Sequence, residues 1–393
     1  MNVDKFAQLS QSLKNGELIL LTHQVNGQCC GIVAGAAEHC NEEMINFMIR
    51  RAKGQVSLPL TQERAAELEL VPVSTTSFFT APTVNYTVSV DFLPGTTTGI
   101  SAEDRALSAR SAANPSSRPQ DFRRPGHLFP IVTHPDGVLG RDSVYEAAVD
   151  LLQIGGLYPV AVTCEILNRE GHLASFPEVA SCAQDWGLPV VSVEEVVNFR
   201  LGQESRVEKM ISTPISTPNG DFLAHGFVNT LTHVEHLAIT KGFFSNHTSP
   251  PLVSIHFECM TSHLGLSECS CRQEYEMALE RLRQEKAGMV LFLRMPTESH
   301  QLLFQLQGYV QQELGMKSHL DQCQNVSRHM REMFDAAHIL QCFNLKSIRL
   351  ANDNPEQRHI LESCGIAVSN QGSPFIRSSK SRAINPTDFL LSN

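Results

Sequence analysis

The residues with the clearest chemical potential are three cysteines close together in the second half of the chain. Cys259 follows the segment His256–Glu258, and nine residues separate it from Cys269, which is followed by Cys271. Three protein ligands with one open coordination position form the arrangement that catalytic zinc sites use. A zinc ion held in this way lowers the pKa of bound water toward neutrality and promotes hydrolysis. The spacing therefore predicts Zn²⁺ bound by the three thiols, with three buried structural thiols as the alternative.

His263 lies between these cysteines, four residues after Cys259. An imidazole in the fourth coordination position would close the site and make the zinc structural. Both arrangements, open and closed, are compatible with the sequence.

Composition excludes several classes of function. Among 393 residues, 31 are Lys or Arg and 41 are Asp or Glu, which gives a net charge of −10. With no basic stripe, we expect no nucleic-acid partner and instead a small-molecule substrate. Apolar runs such as Leu18–Leu21 are strand-sized, so we expect no membrane partner. Scattered cysteines and the absence of an apolar signal segment predict a cytoplasmic protein with reduced thiols.

Both halves of the chain mix helical and strand patterns. Gly202–Arg206 is the expected linker, and Pro218–Gly220 between two apolar runs indicates a β-hairpin. In the first half, helices are expected over 3–15, 41–53, from 61, 144–154, from 177 and 193–200, and strands over 17–22, 84–90, 159–167 and 188–193. In the second half, strands are expected over 210–217, 221–227, 231–240, 252–258, 289–293 and 347–351, and helices after Cys271 and over 298–314, 327–342 and 355–364.

A glycine-containing loop in the first half leads into a helix. Ser101 and Asp104 have the spacing of a capping box, and Gly95 and Gly99 precede them. Free backbone N–H groups at a helix start suit an anion such as phosphate. The alternative, a helix cap with purely structural hydrogen bonds, is equally compatible with this pattern.

Several segments of the first half resemble 3,4-dihydroxy-2-butanone 4-phosphate synthase over residues 17–200. They are Tyr86–Asp91, Thr97–Arg105, Arg124–Pro130 and Cys164-Glu165. Residues 207–368 resemble GTP cyclohydrolase II, through Thr217–Phe222, His256–Cys259, Cys269–Cys271, Arg349-Leu350 and Asn354-Pro355. The order of the motifs resembles the bifunctional riboflavin-biosynthesis fusion.

The resemblance implies an α+β synthase-like domain over 1–201 and an α/β cyclohydrolase-like domain over 207–370. Residues 371–393, rich in Ser, Asn and Pro, are expected to form a flexible tail. The resemblance to the two enzyme families also implies a dimer, either a homodimer or a complex with another riboflavin enzyme.

The synthase family rearranges ribulose 5-phosphate, expels formate and uses Mg²⁺ held by carboxylates and a histidine. Here no carboxylate lies between Glu17 and Glu38, and Val144 stands at the position of the metal histidine. Ser57 replaces a family cysteine. We therefore expect the Mg²⁺ site and the ordinary synthase reaction to be lost.

The remaining synthase motifs resemble the residues that bind phosphate and substrate. They provide a candidate sugar-phosphate site at Thr98, Ser101, Arg105 and Arg141, with Glu165 as a candidate catalytic group. His127 is expected to be a packed histidine.

In the second half, the resemblance implies that Cys259, Cys269 and Cys271 bind zinc for opening of a guanine ring. Glu258 matches a nucleotide-contacting glutamate, and Arg331 falls at the position of the proposed nucleophilic arginine. His329 replaces a family aspartate, so it is either a proton acceptor or a helix surface residue.

Cationic contacts to the triphosphate are replaced in this chain. Ser254 and Glu298 stand where the family has arginines, and Glu356 and Gln357 replace two lysines. Each charge-assisted hydrogen bond contributes about 1.5–3 kcal/mol, so losing even three of these four contacts weakens triphosphate binding by several powers of ten. A less charged purine, nucleoside or related heterocycle is a better expected substrate than GTP.

Three functional hypotheses follow from these substitutions. The first is a zinc-dependent hydrolase of a purine-like or related heterocycle. The second is a non-catalytic paralogue that binds and regulates riboflavin enzymes. In the third, substitute residues such as His23 and Asp142 retain the family activities.

Overall fold

The computed structural model divides the chain into two compact units, Met1–Leu201 and Gly202–Asn393. It describes residues 3–25, 28–73, 84–244, 249–265, 270–295, 303, 306–307, 310, 329–352 and 354–370. Within these ranges, every helix is too short or too polar to cross a bilayer.

The first unit is built on a mixed sheet with helices packed against it. Its helices are α1 (Val3–Lys14), α2 (Glu42–Phe47), α3 (Gln62–Glu67), α4 (Ala102–Ala113), α5 (Val144–Ile154), α6 (Phe176–Trp186) and α7 (Val193–Gln203). Its strands are β1 (Ile19–Val25), β2 (Gln28–Ala36), β3 (Lys53–Leu60), β4 (Asn85–Tyr86), β5 (Val90–Phe92), β6 (Phe122–Val132), β7 (Ala161–Ile166) and β8 (Val190–Ser192).

Most neighbouring strands of this sheet are antiparallel. The order is β4-β6-β3-β7-β2-β1-β8, with β5 paired to β6. The β1/β8 and β3/β6 pairs are parallel. Side chains cap the starts of α2 and α4: the Asn41 side chain accepts from the Met44 N–H, and the Ser101 side chain accepts from the Asp104 N–H. These caps satisfy N–H groups that the helices leave unbonded.

The second unit contains a seven-stranded sheet in the order β15-β14-β12-β13-β11-β10-β9. Its strands are β9 (Val207–Thr217), β10 (Gly220–Asn229), β11 (Glu235–Lys241), β12 (Leu252–Phe257), β13 (Gly288–Leu293), β14 (Ser347–Leu350) and β15 (Ala367–Asn370). Its helices, within the described residues, are α8 (Met260–His263), α9 (Cys271–Gln284), α10 (Met330–Cys342) and α11 (Pro355–Ser363).

Parallel pairing of β12 with β13 determines where the site of the second unit lies. The register places Phe257 beside Leu293, so both strands end at the same edge of the sheet. Glu258 and Cys259 therefore emerge next to Arg294. Open α/β sheets bind ligands at the carboxyl ends of such strands.

The hairpin predicted at Pro218–Gly220 is confirmed, because β9 and β10 pair antiparallel around it. The strand expected over 84–90 is interrupted, and only β4 and β5 are regular. Strand β2 was not predicted, because buried Gly31 and Gly35 replace the alternation of a half-buried strand. A Cβ at Gly31 would lie 2.7 Å from Val179, so close packing favours glycine there. Most of the helix expected over 298–314 and the whole tail over 371–393 lie outside the described residues.

Gly99 provides a test of the loop before α4. Its φ is +92°, and an added Cβ would lie 2.0 Å from Asp91 Oδ2. Gly156 has a φ of +70° with nothing within 4 Å, so it is a matched control without the clash. We expect Gly156→Ala to lower the free energy of unfolding by about 1–2 kcal/mol. Gly99→Ala should cost about 1–3 kcal/mol more, because the loop must move away from Asp91.

Trp186 is the one tryptophan of the chain and lies in the first unit, so its fluorescence during urea unfolding reports on that unit. Equal decreases in the free energy of unfolding for Gly99→Ala and Gly156→Ala would contradict the close contact between Gly99 and Asp91.

Candidate functional site

Glu258 follows the last residue of β12 and is held against the end of β13. Its backbone N–H donates to the Leu293 carbonyl at 2.8 Å. Its carboxylate lies 3.6 Å from Arg294 Nε and accepts a long hydrogen bond of 3.5 Å from the Met295 N–H. The carboxylate is therefore fixed at the sheet edge by the neighbouring strand, at a position that can bind a polar ring.

Two of the three predicted zinc ligands lie in the described residues. Cys259 is fully buried and Cys271, the first residue of α9, is 5% exposed. The Arg272 N–H donates to Ser262 Oγ at 3.0 Å, which ties the start of α9 to the helix that follows Cys259. Two buried thiols on adjoining segments fit a thiophilic ion such as zinc. Cys269 lies outside the described residues, so the three-thiol site stays a prediction.

His263 does not complete a group of three ligands with Cys259 and Cys271, as no such group of His, Cys, Asp or Glu occurs in the described residues. Its Nδ1 lies 2.6 Å from the Cys259 carbonyl oxygen. The ring packs edge-on against Tyr275 and Phe292, with centroids 6.2 and 5.2 Å away. The alternative in which His263 closes the three-cysteine site includes Cys269, which lies outside the described residues, so it stays a prediction.

Helix α10 carries the other candidate residues of this unit near its start. His329, just before the helix, is 1% exposed and stacks on Phe257 with ring centroids 4.4 Å apart. The alternative in which His329 is a surface residue is therefore wrong. Arg331 lies in the first turn. Burial and the nearby Asp335 carboxylate raise the pKa of Glu332.

A buried polar network, which the sequence analysis missed, connects α10 to the sheet. Asp335 accepts from Asn229 Nδ2 at 2.9 and 3.0 Å, and its Oδ2 lies 3.0 Å from His236 Nε2. The other ring nitrogen of His236 accepts from the Arg294 N–H at 3.3 Å. Asn229 and His236 are 106 and 99 residues from Asp335 in the chain, so no local pattern could have paired them.

In the first unit, the loop before α4 directs its N–H groups inward. The Asp104 carboxylate accepts from the backbone of Thr97 and Gly99 and from the Thr97 hydroxyl. These hydrogen bonds lower the pKa of Asp104. Half of the capping box expected at Ser101 is formed: Ser101 Oγ accepts from the Asp104 N–H at 3.0 Å, whereas the Asp104 carboxylate bonds Thr97 and Gly99 and shapes the loop. Thr97 and Gly99 use their N–H groups within the loop.

Asp91 organises the other side of this loop. It is fully buried, and it accepts from Arg123 Nη2 at 2.8 Å and from the His127 N–H at 2.8 Å. His127 Nδ1 lies 2.9 Å from the same carboxylate, but 39% of the His127 side chain is exposed, so the histidine that was expected to be packed is only half-buried. Arg123 also donates to the Thr98 carbonyl at 2.9 Å. Asp91 lies in a segment that carries the family resemblance, but its type alone did not indicate this role.

The cationic candidates of the first unit differ in their surroundings. Arg141 donates through Nε to the fully buried Glu146 at 2.7 Å and through Nη2 to the Val132 carbonyl at 3.2 Å. Burial lowers the pKa of Arg105, and its Nε has no hydrogen-bond partner among the described residues. Both guanidinium groups keep donors that a bound anion could use.

Glu165 is engaged on both carboxylate oxygens. Tyr145 donates its hydroxyl to Oε1 at 2.5 Å, and the Gln55 N–H donates to Oε2 at 3.1 Å. Burial and the Glu165 charge raise the pKa of Tyr145, so its hydroxyl stays protonated. Tyr145 directly follows Val144, the residue that the resemblance places at the metal-histidine position.

A cavity of about 430 Å³ lies beside Tyr86, close to this cluster. Its lining is uncharged, and consists of Gln55, Val73, Tyr86, Thr87, Val88, Ser89 and Phe129.

Comparisons with known proteins agree with the division into two units. Residues 7–199 match the family model of 3,4-dihydroxy-2-butanone 4-phosphate synthase, and residues 208–373 match that of GTP cyclohydrolase II. The riboflavin biosynthesis protein RibBA of Bacillus mycoides is 34% identical over 366 residues, which cover 92% of this chain and 91% of that protein. RibBA of Bacillus cereus (strain AH187) is 35% identical over 352 residues, covering 88% and 87%.

A solved structure also resembles the chain over most of its length. It is RibBX, a two-domain 3,4-dihydroxy-2-butanone 4-phosphate synthase from A. baumannii, with a TM-score of 0.67 and 22% identity. The likeness covers 94% of this chain and 99% of that one, and at this identity it shows the fold alone. The sequence matches to RibBA, which span both units, show that the chain belongs to the bifunctional riboflavin biosynthesis family in which a 3,4-dihydroxy-2-butanone 4-phosphate synthase domain precedes a GTP cyclohydrolase II domain.

Proposed function

We propose that the second domain is a zinc-dependent hydrolase that opens the ring of a purine-like or related heterocycle. The observation that carries this proposal is the placement of Glu258 and Cys259 at the common end of β12 and β13. A fixed carboxylate next to a buried thiol supplies ring recognition and a metal ligand in adjacent positions. Membership of the GTP cyclohydrolase II family supports this type of reaction.

Zinc would be held by Cys259, Cys269 and Cys271, and when bound it supplies Lewis acidity and an activated water. In this proposal the Glu258 carboxylate accepts hydrogen bonds from ring N–H groups and orients the heterocycle. Arg331 and His329, at the start of α10, contribute a cation and a proton acceptor.

The surroundings of the replaced cationic residues support a substrate with less charge than GTP. Ser254 is 2% exposed and its hydroxyl lies 2.8 Å from His256 Nε2, so it is buried among protein groups. The Asn354 side chain accepts hydrogen bonds from the backbone N–H groups of Glu356 and Gln357. These two N–H groups in the first turn of α11 are therefore already bonded within the protein. The exposed Glu356 carboxylate would repel a phosphate there.

We propose that the first domain does not catalyse the ordinary synthase reaction. Tyr145 and Gln55 already bond Glu165, and Val144 cannot bind Mg²⁺. A sugar phosphate could still bind through Arg141 and Arg105, next to Thr98 and Ser101. Such binding without turnover is the feature that favours a regulatory role for this domain, the second candidate function.

Zinc content tests the proposed metal site. We expect about one zinc per chain in the purified protein, and we expect Cys259→Ser and Cys271→Ser to lower this content, because each removes a thiolate ligand. Cys342→Ser, at an exposed position, should leave it unchanged. Zinc in all three variants at the wild-type level would contradict the assignment of these ligands.

Formate release tests the division of activity between the domains. With metals supplied, we expect formate from guanosine or a related purine and none from ribulose 5-phosphate. Chelation of zinc should abolish the first reaction. Stoichiometric formate from ribulose 5-phosphate would refute the proposed loss of synthase activity, and formate from neither substrate would favour the regulatory role.

A charge reversal on α11 tests the explanation for weak triphosphate binding. Glu356→Lys replaces a repelling carboxylate with the charge found in the family, so the affinity for GTP should rise about 10- to 100-fold. Glu362→Lys, an exposed position at the other end of the same helix, gives the same change in net charge and should have little effect. Isothermal titration calorimetry measures both affinities. Equal gains would mean that net charge alone governs GTP binding.

A further inference from the structure

The network around Asp335 buries a carboxylate in the interior of the second domain. Asp335 is 5% exposed, and its partners Asn229 and His236 are 7% and 3% exposed. Burying a carboxylate is costly unless it is hydrogen-bonded, and here three contacts compensate the cost. The three side chains come from β10, β11 and α10, so the network fixes the helix to the sheet.

The Arg294 N–H determines the tautomer of His236. A backbone N–H can only donate, so Nδ1 must be the accepting nitrogen in the 3.3 Å contact. The ring hydrogen is then on Nε2, which faces Asp335 Oδ2 at 3.0 Å. A carboxylate, a neutral imidazole and a peptide N–H thus form a continuous chain of hydrogen bonds.

Both ends of this chain reach the proposed site. Arg294 follows β13, and its side chain lies 3.6 Å from the Glu258 carboxylate. Asp335 lies four residues after Arg331 on α10, about one helical turn away. One buried carboxylate therefore sets the rotation of α10 and, through His236, the position of the peptide at the end of β13.

We propose that His236 and Asp335 are positioning residues that hold the Arg294 peptide, and with it Glu258, in register with the Arg331 turn of α10. The effect of this positioning on catalysis rests on the proposed hydrolase function. Neither residue lies among the candidate ligands or the groups expected to touch substrate.

A second buried histidine provides a matched control. His225 is also 3% exposed and lies on β10, where its ring nitrogens are 2.8 Å from Ser212 Oγ and 2.9 Å from Thr240 Oγ1. Its ring packs edge-on against Phe343. It has a similar structural role without a bond to Arg294, Glu258 or α10 residues of the site.

Two substitutions at His236 separate its two hydrogen bonds. In His236→Gln the amide nitrogen reaches the position of Nε2 and still donates to Asp335, but the acceptor for Arg294 is lost. In His236→Asn the amide oxygen takes the place of Nδ1 and still accepts from Arg294, but the bond to Asp335 is lost. Both are compared with His225→Gln in the full-length chain.

Hydrogen exchange and kinetics together test the proposal. We expect the Arg294 amide to exchange faster in His236→Gln and to stay protected in His236→Asn and His225→Gln. With guanosine as the substrate, kcat should fall about 100-fold in His236→Gln, the size of loss that a displaced catalytic group causes. His236→Asn should recover part of this loss, and His225→Gln should match the wild type.

Unchanged Arg294 protection in His236→Gln would overturn the proposal. Equal losses of kcat in the two glutamine variants, accompanied by equal losses of Tm, would also overturn it, because the effect would then be structural. If the wild type releases no formate from guanosine, the proposed substrate fails, and the Arg294 exchange pattern alone still decides whether His236 holds this peptide.

Discussion

The parallel pairing of β12 with β13 is the constraint on which the proposed site depends. It brings the ends of the two strands to one edge, so that Glu258 and Cys259 emerge beside Arg294. No single residue in this region could place these groups together, because the strands are separated by the cysteine loop and α9. Once the register is fixed, the Glu258 N–H bonds the Leu293 carbonyl, and the carboxylate has a defined position.

Buried carboxylates provide the local order in both units. Asp91 bonds Arg123 and His127 below the loop that leads to α4, and Asp335 bonds Asn229 and His236 between α10 and the sheet. Each carboxylate accepts hydrogen bonds from several donors. These bonds offset the free energy of burying the charge and oppose rotation of the side chain.

The sequence could predict what depends on local chemistry. The cap at Ser101, the hairpin at Pro218–Gly220 and the helix after Cys271 are short-range patterns, and the structure contains all of them. It could not predict β2, where glycines in close contact with other elements replace the usual alternation. Nor could it predict the contact between His236 and Asp335, since only the folded sheet brings residues 99 positions apart together.

The candidate residues of the two domains have different surroundings. In the first, the Tyr145 hydroxyl donates to Glu165, the candidate catalytic group. In the second, Cys259, Cys271 and Ser254 are buried, and Asn354 caps the first turn of α11. A ring-opening reaction on a less charged substrate is consistent with both observations.

Zinc K-edge X-ray absorption on the purified full-length chain tests the central claim most directly. The account predicts three sulfur neighbours at about 2.3 Å and one light-atom neighbour, the open position of a catalytic site. The absence of zinc, or a shell in which fewer than three sulfurs bind the ion, would contradict it.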